Sequence, residues 1–229
     1  MGLILNIDTA VDTAMVSLAK NGATVDSLFN SEQKEHGGFL QPAIQTLLKN
    51  NFISIKELDA IATSAGPGSY TGLRVSMSTA KGLCYALDKP LITISTLKIL
   101  ALSAILQAPG NGLADNTLLC PMIDARRMEV FTALYNWELE IVLEPCALVL
   151  DENSFANSLL NKKIFFFGNG AKKMELLCTH ANAVFSPVLI NPLAMSKLSE
   201  EKYQLRQFAD LAYSEPIYLK EFFTPQAKK

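Results

Sequence analysis

The chain of 229 residues has little histidine, only His36 and His180, and little excess charge: 20 Lys and Arg stand against 22 Asp and Glu, for a formal net charge of -2. A helix that holds a metal needs two imidazoles one turn apart, and neither histidine has such a partner, so no metal site is expected. A pI near 5.8 excludes a broad basic face of the kind that many phosphate contacts require. Cys84, Cys120, Cys146 and Cys178 contain no Cys-x-x-Cys pair and read as buried free thiols rather than zinc ligands or disulfides. No apolar run approaches the ~18 residues of a membrane span. The opening Met1-Gly2-Leu3-Ile4-Leu5 shows neither a basic leader nor a cleavage region, and a cytoplasmic protein is expected.

What the chain does have is a glycine-rich turn, Ser64-Ala65-Gly66-Pro67-Gly68-Ser69-Tyr70-Thr71-Gly72-Leu73-Arg74, between an apolar run at Leu58 to Ala62 and a helical pattern reaching Leu87. The layout is strand, tight turn, helix, with unpaired N–H groups in the first helical turn and an expectation that something docks there. A Walker loop would need lysine after Gly72, the dinucleotide fingerprint a glycine at Thr71, and a nucleophile elbow a glycine at Pro67, so all three are excluded.

The strand pattern is repeated. Leu3 to Asp8, Ala14 to Leu18 and Thr24 to Phe29 read as three short strands, with an Asn21-Gly22 turn between the last two. Leu119 to Asp124, Glu129 to Tyr135 and Ile141 to Leu148 read the same way, and both first strands end in Ile-Asp. The repeat predicts an α/β protein of two similar lobes, each opening βββ and continuing αβα, with a cleft between them. The first lobe is assigned to residues 1–103, open to completion by 204–229, and a smaller second lobe to 104–203. Helices are expected at His36 to Asn51, Thr71 to Leu87 and from the Ser95-Thr96 cap through Leu106. The stretch from Pro187 to Glu201 reads as a connection, followed by helical spacing from Gln204 to Tyr213. Ile164 to Phe167 reads as a buried strand running into a second glycine turn, Gly168-Asn169-Gly170, where a nucleotide could also sit.

Seven pieces taken in order resemble the TsaB (YeaZ) family: Leu5-Asn6-Ile7-Asp8-Thr9, His36 with Pro42, Leu58-Asp59-Ala60-Ile61, the Gly66 to Arg74 loop, Ala80-Lys81-Gly82-Leu83, Ser95-Thr96-Leu97 and Ile123-Asp124-Ala125-Arg126. The resemblance implies the duplicated actin and Hsp70-like (ASKHA) fold. It also implies a non-catalytic subunit that activates TsaD, the enzyme adding threonylcarbamoyl to the adenosine beside the anticodon of tRNAs that read codons beginning with A. Implied partners are a TsaD-like catalytic subunit, a TsaE-like ATPase and, in their absence, a second copy of the chain; tRNA is met only indirectly. Carried over by position, His36, Leu40, Ile44, Gly72, Arg74, Met77 and Lys81 are expected at the partner surface. Asp8, Thr9, Gly168 and Gly170 are expected to retain any residual nucleotide contact, with ATP and Mg2+ acting through the complex rather than bound tightly. Two departures from the family pattern, Met15 and Gly37 where serines are usual, each remove a hydroxyl.

Two rivals come from other classes. A protein hydrolase of the glycoprotease type would use Ser69 or Thr71, with His36 brought near in space as base. A small-molecule kinase of the same fold would grip ATP between Asp8 and the Gly168 turn.

Overall fold

Successive side chains of the near-continuous apolar run Leu3 to Asp8 point to opposite sides of the strand, and both sides are buried, so this segment lies in the middle of a sheet covered on two faces. In the computed structural model, which describes residues 2–32, 36–107 and 116–220 with backbone alone at His36, that strand is β1 (Leu3–Asp8). It pairs antiparallel with β2 (Ala14–Lys20), and β2 pairs with β3 (Ala23–Asn30). On its other side β1 runs parallel to β4 (Ala60–Gly66), and β4 to β5 (Leu91–Ser95), giving a five-stranded sheet in the order β3-β2-β1-β4-β5. The connections after β3 are α1 (His36–Asn50), α2 (Tyr70–Leu87) and α3 (Thr96–Gln107).

The second half repeats the plan. Strands β6 (Leu118–Asp124), β7 (Glu129–Tyr135) and β8 (Ile141–Val149) form an antiparallel run. Then follow α4 (Ala156–Asn161), β9 (Ile164–Phe167), α5 (Ala171–Glu175), β10 (Ala183–Phe185) and α6 (Pro192–Gln204). β9 is parallel to β6 and β10 to β9, so the order β8-β7-β6-β9-β10 matches that of the first sheet. The duplicated α/β architecture expected from the repeat is the one observed.

Helices α1 and α2 cover one face of the first sheet, where Leu40, Ile44, Leu47, Met77, Ala80 and Cys84 meet Leu5, Ile7, Val16 and Ile61. Each such large side chain taken from water stabilises the fold by about 1.5–3 kcal/mol. The opposite face carries α6, whose Ala194, Met195 and Leu198 pack on Ile4, Met15 and Ile92 with Ile99 of α3. Helix α3 turns its other side, Leu97, Leu100 and Ala104, to Leu119, Tyr135 and Phe165 of the second sheet, and so joins the lobes.

One segment differs from expectation. Residues 192–204 form helix α6 rather than a connection, because Asn191 caps it by accepting the Leu193 N–H at 3.0 Å and Pro192 occupies the first turn, where its missing N–H costs nothing. The helical pattern expected onward to Tyr213 stops at Leu205, since Arg206 adopts a left-handed φ of 53°. Residues 205–220 instead form an irregular strap along the first lobe. Its Ala209 N–H donates to Leu91 O at 2.8 Å on the edge of β5, and its Ile217 N–H donates to Ala65 O at 2.7 Å at the end of β4.

Candidate functional site: the glycine turn, the cleft and the outer helix face

The glycine turn is built around the chain's own backbone. Ser69 N–H donates to Ala10 O at 2.7 Å, and Thr9 Oγ1 donates to Gly72 O at 2.6 Å. A Cβ on Gly68 would stand 2.3 Å from Ala10 O, and one on Gly72 1.9 Å from Thr9 O. Gly66, at φ 108°, follows the same rule with the strap: an added Cβ would lie 2.7 Å from Ile217 O. These positions need glycine because two backbones touch. What docks on the turn is therefore the β1–β2 connection on one side and the strap on the other.

The residues expected to retain nucleotide contacts do not form an open phosphate cradle in this arrangement. Asp8 accepts the Ala10 N–H at 2.9 Å, Thr9 is held on α2, and Gly168 and Gly170 lie against the end of β6, where a Cβ would come within 2.4 Å of Met122 O and 3.1 Å of Asp124 N respectively. Between the lobes remains a cleft of about 280 Å³ lined by Val11, Asp12, Thr13, Leu100, Gly168, Asn169 and residues 187–190. Asn169 spans it, donating from Nδ2 to Asp12 at 2.9 Å and accepting the Asp124 N–H at 2.8 Å. The Asp124 carboxylate accepts the Arg126 N–H at 2.6 Å and pairs with Lys173 at 2.9 Å. Partial burial works against its charge, but Lys173 and the Arg126 N–H outweigh that and hold its pKa below the ordinary value. Among the described residues no three of His, Cys, Asp and Glu come together as metal ligands would. Ser69 caps α2, its Oγ accepting the Gly72 N–H at 3.2 Å.

The thiols Cys84 and Cys120 are buried, which pushes them up to about 11 and about 12, while Cys146 and Cys178 are half-buried; all four are free. No helix among the described residues is long and apolar enough to cross a membrane.

Of the residues expected at a partner surface, Leu40, Ile44 and Met77 are 1%, 2% and 3% exposed and belong to the core under α1 and α2. Gly72 is buried against Thr9. That expectation is corrected: the apolar stripe of an amphipathic helix is the face its own sheet covers. Arg74 and Lys81 do reach the surface, yet both hold the strap. Arg74 Nε donates to Tyr218 Oη at 3.0 Å, its guanidinium stacks 4.0 Å from the centre of the Tyr70 ring, and Lys81 Nζ donates to Ala212 O at 3.1 Å and Ser214 O at 3.0 Å. The His36 side chain lies outside the described residues. The outward face instead shows Gly37, Gly38, Gln41 and Gln45 on α1 and Thr71, Ser78, Gly82 and Tyr85 on α2. Tyr85 is 84% exposed, and Phe52, just past α1, is 96% exposed. A Cβ on Gly37, Gly38 or Gly82 would meet nothing within 4 Å among the described residues. On α1 the i, i+4 and i+8 spacing of Gly37, Gln41 and Gln45 between the apolar positions carried this signal, and on α2 the 7-, 4- and 3-residue steps from Thr71 through Ser78 and Gly82 to Tyr85 did the same.

The model of the family described as TsaD: tRNA N6-adenosine threonylcarbamoyltransferase matches residues 29–217. The chain belongs to this family, on its TsaB (YeaZ) branch. It is 29% identical to the tRNA threonylcarbamoyladenosine biosynthesis protein TsaB of Haemophilus influenzae, over 96% of this chain and 94% of that one. It is 33% identical to the TsaB protein of Bacillus subtilis over 135 residues, a stretch that spans 59% of this chain and only 56% of the relative. Among solved structures, YeaZ from Pseudomonas aeruginosa superposes with a TM-score of 0.77 at 25% identity, covering 96% of this chain and all of that one. The two-lobed α/β fold agrees with the match to YeaZ.

Proposed function

We propose that this chain is a non-catalytic subunit in the biosynthesis of threonylcarbamoyladenosine in tRNA, docking on a TsaD-like transferase through the outer face of α1 and α2. Relatives over nearly its full length carry the name of that pathway, and the family model that matches it is that of the transferase. The observation that carries the docking face is the set of glycines at Gly37, Gly38 and Gly82, beside Tyr85. Glycine inside a helix, as at Gly82, costs about 1 kcal/mol against alanine, and no contact among the described residues accounts for it or for the two glycines in the first turn of α1. A smooth helix pair with an exposed aromatic in the last turn of α2 suits close approach by another pair of helices. The chain's role is then to bias the transferase toward its competent state, while ATP turnover belongs to a TsaE-like ATPase bound to the same complex. In the absence of those partners, the same face pairs two copies of the chain.

The test is reconstitution. Threonylcarbamoyladenosine formed on a tRNA transcript by the transferase and ATPase should rise at least tenfold when this chain is added, and Tyr85→Glu should abolish the rise. Equal product with and without the chain would sink the reading.

A further inference from the structure

The turn joining β6 to β7 has no role in the fold or in the docking face, and it is built against local preference. It closes through the Ala125 N–H to Glu129 O at 3.1 Å and the Glu129 N–H to Arg126 O at 3.0 Å. Arg126 and Arg127 stand at its tip with φ 71° and 46°, both left-handed. Glycine and asparagine take that region readily, whereas other side chains crowd the following carbonyl. Two consecutive arginines there destabilise the turn with no packing in return, since both are exposed. Among the described residues neither guanidinium makes a hydrogen bond or an ion pair.

The acids that flank the tip are already paired. Asp124 is held by Lys173 and by the Arg126 N–H, and Glu129 is paired with Lys220 of the strap. Asp151, which follows the Leu150 N–H bonded to Met128 O, turns its carboxylate to Asn153 N–H and Ser154 Oγ. The two arginines are thus a local positive charge on a chain that is slightly acidic overall. Their mount is fixed at its base: Asn169 ties it to Asp12 across the cleft, and Lys173 bonds Glu129 O at 2.8 Å. Unpaired guanidiniums carried on a fixed turn are available to a tetrahedral oxyanion, which a planar fork of N–H donors binds in two-point fashion.

We propose that the Arg126–Arg127 turn is a phosphate contact for the backbone of the tRNA, made by this chain while the transferase holds the modified nucleotide. The proposal rests on the functional reading above and changes one part of the sequence expectation, in which tRNA is met only through another subunit. Near-neutral composition excludes a broad basic face but not a contact with two phosphates, and each phosphate neutralised adds about 0.7–0.9 to the slope of log affinity against log salt.

The discriminating variant is Arg126→Asn with Arg127→Gly, which removes both charges and supplies residues that suit left-handed backbone. Its thermal midpoint should be unchanged or a few degrees higher than that of the parent, so loss of fold does not enter the result. Fluorescence anisotropy with an end-labelled tRNA transcript, on the complex of chain and transferase, should show affinity about tenfold weaker in ~100 mM salt and a salt slope lower by about 1 to 2. Identical affinity and slope would overturn the proposal. So would loss of tRNA binding that coincides with loss of the complex in light scattering, which would assign the turn to a protein partner. If the parent chain forms no complex at all, the functional reading fails, and the same titration on the chain alone decides the phosphate contact: a salt-dependent difference between parent and variant keeps it, and none removes it.

Discussion

Gly72 and Gly82 sit on the same helix and answer to different neighbours. Gly72 has Thr9 O where a Cβ would go, so Gly72→Ala must push the β1–β2 connection off α2; it should cost about 2–4 kcal/mol in urea unfolding and weaken the Thr9 to Gly72 bond. Gly82 faces open space, so Gly82→Ala should instead stabilise the isolated chain by roughly 0.5–1 kcal/mol in the same experiment. Met77 gives the converse lesson. A charge placed there enters a core position that is 3% exposed, and Met77→Arg should unfold the chain in circular dichroism rather than merely release a partner. Asp124 supplies a pH dependence. Its pKa is depressed in the folded chain, so its pairing contributes stability above the ordinary carboxylate value of about 3.9, and that contribution is lost as pH falls through the lowered one. Thermal midpoints measured from pH 6 down to pH 2 should therefore fall less steeply at the acid end for Asp124→Asn than for the parent chain.

Among the elements, the strap of residues 205–220 is the part that links sites otherwise separate. It closes the edge of β5, touches the glycine turn at Gly66, holds Arg74 and Lys81 of α2, and reaches Glu129 of the second lobe through Lys220. Lys81→Ala removes two bonds to strap carbonyls, and the expected outcome is a loss of roughly 1–2 kcal/mol together with faster tryptic cleavage at Arg206 and Lys220. Unchanged cleavage would show that the strap is held without α2. Strands β1 to β4 and β6 to β9 and helices α1 to α3 were legible in the sequence because apolar runs and 3.6-residue spacing are strong there and Asn21-Gly22, Pro67-Gly68 and Ser95 punctuate them, whereas the short β5 was not read. Helix α6 was not, although Asn191-Pro192 is a good start signal, because Lys197, Glu200, Glu201 and Lys202 dilute its apolar stripe and Pro187 nearby suggests a loop. The strap was illegible for a different reason: its order comes from bonds to Leu91, Ala65 and α2, none of which is local. For the docking face, periodicity located the right helices but marked their buried stripe; the outer face became visible only once Leu40, Ile44 and Met77 were seen in the core.

At the scale of the whole molecule, two copies of one strand order share α3 as a common wall, and α6 with the strap return the chain to the first sheet. The cleft between the lobes is crossed by the Asp12–Asn169 bond, and the connections that border it are held against the chain's own backbone. The pair of smooth helices on the first lobe and the two-arginine turn on the second both face outward. The central claim is the docking face of α1 and α2. Its most direct test is light scattering after size exclusion on the chain mixed with the TsaD-like transferase from the same source, for the parent and for Gly82→Leu, with the fold of each checked by its thermal midpoint. A one-to-one complex for the parent and separate species for the variant is the predicted result; a variant that keeps its fold and still elutes at the mass of the full complex would contradict it.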